Sequence, residues 1–368
     1  MTKLLSQPIR VLIGSPMLAV GITACAALPN AVLADDVIEA EQKLLSGMQA
    51  IQGLALDKAI FELNELSEDY PKYKLAQMMK ADLLAIKSGQ KPMLDKIRQQ
   101  NPKTVATLES EAKVRWDFAQ KSLEDNPGLE KYILKSGNQK YTLLVDLHGK
   151  RLYLYERQAS GELKSVADYY ITIGAKGGGK QKEGDRRTPV GVYHVVDFIT
   201  QDRLPDFYGT GALPINYPNQ WDRSLGKTGS GIWLHGVPST TYARAPNASR
   251  GCVVLNNKAM TRLMEDFKLP LSTPIVIWDE DQSVFSFGDE KQQLVAEVRG
   301  WIEDNRPSVK WDEVNIFRYP SEDGLYYATY PASKQGDMMH QFWKRDAEGG
   351  WAVLFEKEEP REIKYVFK

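Results

Sequence analysis

Cysteine is the residue this chain most nearly does without: 368 residues carry only Cys25 and Cys252. Histidine is almost as scarce, at His148, His194, His235 and His340. So few thiols exclude a disulfide framework, and no Cys/His spacing of a zinc site is present. Charge of one sign is missing as well. Lys and Arg number 47 against 48 Asp and Glu, a formal net charge of −1. With no global positive field and no basic stripe, nucleic acid is not an expected partner. Beyond residue 34 no apolar run is long enough to span a bilayer. A nucleotide loop is excluded too. Gly177-Gly178-Gly179-Lys180 lacks the Gly-Lys-Ser/Thr ending and a following helix.

The first apolar run sets the expected compartment. Lys3 and Arg10 precede the mostly apolar stretch Val11 to Leu28, Pro29 breaks it, and Val32-Leu33-Ala34 leads into Asp35-Asp36. That order reads as a secretory signal over residues 1–34, cleaved after Ala34. Ile22-Thr23-Ala24-Cys25 offers a second reading, a lipobox that would make Cys25 a lipid-modified N-terminus. Either reading places the protein outside the cytoplasm, in the periplasm or cell envelope. Cleavage after Ala34 would leave one thiol in an oxidising compartment, which suggests a use for it.

The remainder divides into three expected parts, an α+β multidomain chain. Residues 35–130 read helical, with stripes at Ile38, Leu44, Leu45 and Met48 and at Leu56, Ile60, Leu63 and Leu66. Gly47, Ala59, Leu63 and Pro71 fall at tetratricopeptide offsets and Leu66 departs from them, so this part reads either as TPR-like or as a generic amphipathic helical hairpin, and as a docking module for a protein partner. Residues 140–280 read as mostly β, with strands expected at Tyr141–Asp146, Arg151–Tyr155, Tyr169–Ile173, Gly191–Val196, Gly231–Leu234 and Pro274–Trp278. Residues 174–184, holding five glycines, read as a mobile loop. Residues 285–368 read as one amphipathic helix, marked by Leu294, Val295, Val298, Trp301 and Ile302, against four antiparallel strands.

One short pattern carries chemistry. Cys252 lies in Ser249-Arg250-Gly251-Cys252, with His235-Gly236 seventeen positions upstream (252 − 235 = 17). A thiol becomes a nucleophile only as the thiolate, so it needs a base, and its tetrahedral adduct needs N–H donors. A buried, inert Cys and a structural His are the plain alternative.

These residues resemble the L,D-transpeptidase (YkuD) family, in which a His-Gly precedes Ser-His-Gly-Cys. Thr188-Pro189-Val190-Gly191-Val192-Tyr193 resembles its Thr-Pro-x-Gly-x-Tyr strand. Leu204 to Gly209 and Tyr217-Pro218-Asn219 resemble the loop that covers its active site. The C-terminal part looks like a shortened nuclear-transport-factor-like domain, a pairing similar to a cell-shape branch of the family. The resemblance implies a peptidoglycan enzyme acting on stem tetrapeptides, without metal or cofactor. It implies Cys252 as nucleophile, His235 as base, the Gly236 carbonyl as orienter of the ring, and Gly251 and Cys252 amides as oxyanion donors. Ser249, Arg250 and Tyr208 are the expected substrate contacts.

One position departs from the pattern. Arg250 stands where the family has His, and a guanidinium stays protonated and cannot act as a base. It can favour the thiolate or clamp a substrate carboxylate. Three readings therefore stay open: transpeptidase, carboxypeptidase or related stem-peptide hydrolase, and a non-catalytic cell-wall scaffold. The sequence leaves the oligomeric state undecided.

Overall fold

The computed structural model describes residues 36–120, 131–280, 290–332, 336–346 and 348–364. The signal and the lipobox lie outside these residues. Among the described residues no helix is long and apolar enough to cross a membrane.

Five helices open the described chain: α1 (Asp36–Gln52), α2 (Leu56–Asp69), α3 (Lys74–Lys87), α4 (Met93–Gln100) and α5 (Pro102–Ala119). The periodic stripes form their core, with Leu44, Ala59, Leu63, Leu66, Leu75 and Ala112 buried. Gly47 is where α1 and α2 approach closely, since a β-carbon there would lie 3.0 Å from Leu63 Cγ. Asn101 caps α5, accepting from Thr104 N–H at 3.3 Å, with Pro102 at the first helical position, where its missing N–H costs nothing. Arg115 is buried in this core. It donates to Glu111 at 2.9 Å and pairs with Glu41, so the buried guanidinium is matched by carboxylates.

This helical unit has one further piece that the expected boundaries do not contain: residues 239–246 cluster with residues up to 121 rather than with their chain neighbours. Tyr242 packs its ring on Tyr73 at 4.2 Å and on Tyr70 at 5.0 Å. The Ser239 carbonyl accepts from Lys72 Nζ at 2.6 Å. The stretch that joins His235 to Cys252 thus contributes a ring to the helical core.

Among the described residues the second unit holds four sheets. The largest in the catalytic-type region has the order β4-β3-β2-β12-β6, from Leu163–Tyr170, Arg151–Arg157, Tyr141–Asp146, Pro274–Trp278 and Gly191–His194. Within it β12 runs parallel to β2, Ile275 beside Leu143, and antiparallel to β6. Both strands are buried throughout, the continuous apolar reading of a central strand. A four-stranded sheet, β11-β9-β8-β7, is built from Val253–Val254, Trp233–His235, Gly211–Pro214 and Ile199–Thr200. A short parallel pair joins β10 (Asn247–Ser249) to β5 (Ile173–Gly174).

Four antiparallel strands are present in the C-terminal part, β13 (Asn315–Arg318), β14 (Leu325–Pro331), β15 (Met338–Arg345) and β16 (Trp351–Glu359), with a helix at Glu290–Asn305. Their sheet gains a fifth strand, β1 (Ile133–Lys135), from upstream of the region read as catalytic. It also shares a core with the large sheet. Tyr132, Val192, Val276 and Trp278 pack with Phe317, Tyr319, Tyr327 and Phe342. The rings of His194, on β6, and His340, on β15, stack at 5.0 Å with planes 7° apart.

Candidate active site

His235 ends strand β9, and Cys252 immediately precedes β11. The two strands are parallel, Val253 pairing with Leu234 and Val254 with His235. Pleating alternates the side chains, so His235, Trp233, Val254 and Cys252 project to one face of the ladder. Cys252 is half-buried and packs, as Leu204 and Tyr208 do, against the cluster of Ile199, Ala212 and Trp233. Its Sγ lies 3.5 Å from the Gly231 carbonyl.

His235 is 2% exposed. Its Nδ1 lies 2.7 Å from the Gly236 carbonyl. A carbonyl oxygen only accepts, so Nδ1 carries the proton and Nε2 is the basic nitrogen of the neutral ring. The short helical turn Asp206–Tyr208 covers this imidazole. Tyr208 meets it edge-on at 5.0 Å and leans on Trp233 at 5.1 Å. Desolvation raises the Tyr208 hydroxyl above its ordinary range, with a nearby Cys252 sulfur adding to the shift and Arg250 opposing it. Phe207, half exposed at 50%, stands 6.1 Å from the same imidazole. It was not singled out in the sequence, although its adjacency to Tyr208 was a signal.

Ser249 and Gly251 shape the cysteine turn. Ser249 is buried, and its hydroxyl donates to the Cys252 carbonyl at 2.6 Å and accepts from Gly251 N–H at 3.0 Å. It is a clasp inside the cysteine turn. The same hydroxyl thus holds both ends of the Gly251-Cys252 step. Gly251 is required for a backbone reason. Its φ is +130°, and a β-carbon would lie 2.7 Å from the Arg187 carbonyl. Arg250 is exposed beside the turn.

The expected covering loop divides. Leu204 to Gly209 lies by the His235 ring, but Tyr217-Pro218-Asn219 serves the core. Asn219 caps helix α6 (Gln220–Ser224) in a capping box with Asp222, and its amide donates to Tyr319 Oη at 2.8 Å. The glycine-rich stretch 174–184, read as mobile, is tied by Asp185. That carboxylate accepts from the amides of Gln181 at 2.8 Å, Lys182 at 3.0 Å and Arg187 at 3.0 Å, and from Lys180 Nζ at 2.9 Å. Desolvation opposes the charge, but the backbone donors and Lys180 together hold the Asp185 carboxyl well below the usual carboxylate range. A separate open groove of about 900 Å³ is lined by Thr200, Thr210, Met264 and Glu265 among others; neither Cys252 nor His235 lines it.

Similar solved structures include one from Bdellovibrio bacteriovorus, Bd1075, at 23% identity and TM-score 0.46, covering 62% of this chain and 98% of that one. The helical cell shape determining protein Pgp2 from Campylobacter jejuni is 20% identical with TM-score 0.46, covering 61% and 94%. An L,D-transpeptidase from Xylanimonas cellulosilytica is 22% identical with TM-score 0.26, covering 39% and 61%. A comparison with curated proteins gives no match. The YkuD family, the L,D-transpeptidase catalytic domain, matches residues 140–277, which contain the His235 strand, the cysteine turn and the sheet that carries them. The chain therefore carries an L,D-transpeptidase (YkuD) catalytic domain over residues 140–277.

Proposed function

We propose that this protein is an exported cysteine L,D-transpeptidase that remodels peptidoglycan by acting on stem tetrapeptides. The observation that carries the reading is the shared face of β9 and β11, with Cys252 and His235 under the Tyr208 turn and Nδ1 committed to Gly236. In the first half-reaction His235 Nε2 takes the thiol proton and sulfur bonds to the carbonyl carbon between an L- and a D-centre. The C–N bond then breaks, and the departing D-amino acid takes the proton from His235. This leaves a thioester on Cys252. An amine from a neighbouring stem attacks it, gives up a proton, and restores the thiol.

Arg250 supports a second reading. An exposed guanidinium two residues from the thiol can pair in a planar fork with the free carboxylate of a terminal residue. Water would then complete the reaction, making the enzyme an L,D-carboxypeptidase. Purified tetrapeptide muropeptides followed by mass spectrometry separate the readings. A dimer linked through two diaminopimelate centres identifies the transpeptidase. Loss of one terminal residue without a dimer identifies the carboxypeptidase. Unchanged muropeptides, with Cys252 alkylated by iodoacetamide only near the ordinary thiol pKa of about 8.5, would leave the scaffold reading.

A further inference from the structure

Asn257 opens the helix after the cysteine turn, yet Asn256 caps it, accepting from Ala259 N–H at 2.8 Å. Asn257 Oδ1 points elsewhere. It accepts from Val237 N–H at 2.9 Å and from Thr210 N–H at 3.4 Å, while the Asn257 carbonyl accepts from Thr210 Oγ1 at 3.1 Å. The Val237 N–H and the Gly236 carbonyl are the two ends of one peptide plane. The Gly236 end lies 2.7 Å from His235 Nδ1, the Val237 end 2.9 Å from Asn257. A single amide therefore separates the imidazole from the carboxamide. A hydrogen bond drawn from the N–H of an amide polarises its carbonyl and strengthens that carbonyl as an acceptor.

We propose that Asn257 is a positioning residue for His235, acting through the Gly236–Val237 peptide to hold the imidazole with its proton on Nδ1. In the Ser-His-Asp arrangement a carboxylate does this by direct contact; here the contact is relayed. Two glycines make room for it. A β-carbon at Gly236 would lie 2.2 Å from Asn257 Oδ1, and one at Gly209 would lie 2.1 Å from it. Through Thr210 the same side chain also anchors the end of the Tyr208 turn, so the ring and its cover share one tether.

The proposal rests on His235 being the base, so its test includes a readout that needs no substrate. Imidazole ¹⁵N NMR of His235 in Asn257→Ala should show a loss of the Nδ1–H tautomer, with the pH profile of Cys252 alkylation displaced. Stem-peptide turnover should fall about 10- to 100-fold in kcat, the usual cost of losing a residue that orients a functional ligand, with KM little changed. Asn257→Asp keeps the acceptor and adds charge; it should retain the Nδ1–H tautomer and shift the imidazole titration upward. A tautomer and alkylation profile identical to wild type in a folded Asn257→Ala overturns the proposal. Should that variant not fold, an Asn257→Asp imidazole that titrates as in wild type overturns it instead. If wild-type Cys252 alkylates like an ordinary thiol while Asn257→Ala still alters the tautomer, the base assignment fails and the positioning role stands.

Discussion

Replacing Gly251 by Ala sets two demands on one atom: a β-carbon at φ +130°, and 2.7 Å from the Arg187 carbonyl. Thermal melting should register a loss of about 1–3 kcal/mol, the cost of a side chain forced into sparsely allowed backbone. Cys252→Ala, by contrast, should melt near wild type and abolish any acyl-enzyme detectable by intact-protein mass spectrometry; a surviving adduct would remove Cys252 as nucleophile. Arg250→Lys keeps the charge and loses the fork. If Arg250 clamps a carboxylate, kcat/KM on tetrapeptide stems should drop by the equivalent of about 1.5–3 kcal/mol, with the thiol titration unmoved. A Lys variant with unchanged kinetics would leave Arg250 only a general electrostatic role. At this scale the sequence was legible where chemistry restricts the residue type. A thiol, an imidazole and the glycines beside them allow few alternatives. It was not legible for Ser249 or Asn257, because Ser and Asn serve caps, clasps and substrate alike, and only the folded neighbours decide which.

Among elements, the Asp206–Tyr208 turn makes a specific claim. Its aromatic edge over His235 suits an elongated peptide held against the thiol. An aromatic contact is worth about 0.5–1.5 kcal/mol, so Tyr208→Ala should raise KM by about 2- to 12-fold. The iodoacetamide profile should not move. Equal KM in the variant would make the turn a mere connector. The region from Gln201 to Gly229 shows the limit of periodicity. Leu204 to Gly209 and Tyr217 to Asn219 read as parts of a covering loop, but the strand Gly211–Pro214 lies between them and the helix Gln220–Ser224 follows. Elements of four or five residues complete too few repeats to show an alternation. The longer strands 141–146, 325–331 and 338–345 are buried over most of their length, and their β-branched and aromatic content was readable at once. Strand β1 was missed because its three residues gain their reason only from Phe317 and Ile316 across the sheet.

Taken whole, the second unit is joined by aromatic contacts that include a buried pair of imidazoles. Burial pushes His340 down to about 4 and His194 well below the ordinary range, with His340 adding to the shift on His194. A folded pKa below the unfolded value of about 6.5 means that the unfolded chain takes up protons first as pH falls. Stability is therefore fully present above about pH 6.5 and is lost as pH drops towards 4, on the order of 3 kcal/mol for His340. Urea midpoints of wild type should decline across that window, and His340→Gln should flatten the decline; an equally steep slope in the variant would show that other groups drive it.

The helical unit carries a consequence for the order of assembly. Its five helices are the first part of the described chain to be synthesised, and they end by residue 121. The ring that lies against Tyr70 and Tyr73 belongs to Tyr242, in a segment that begins at residue 239. Another 121 residues (242 − 121 = 121) must therefore be made before that core can close. Domains generally fold as units, earliest first, as the chain emerges. This one instead waits, with two tyrosines uncovered, until the strand bearing His235 has been completed.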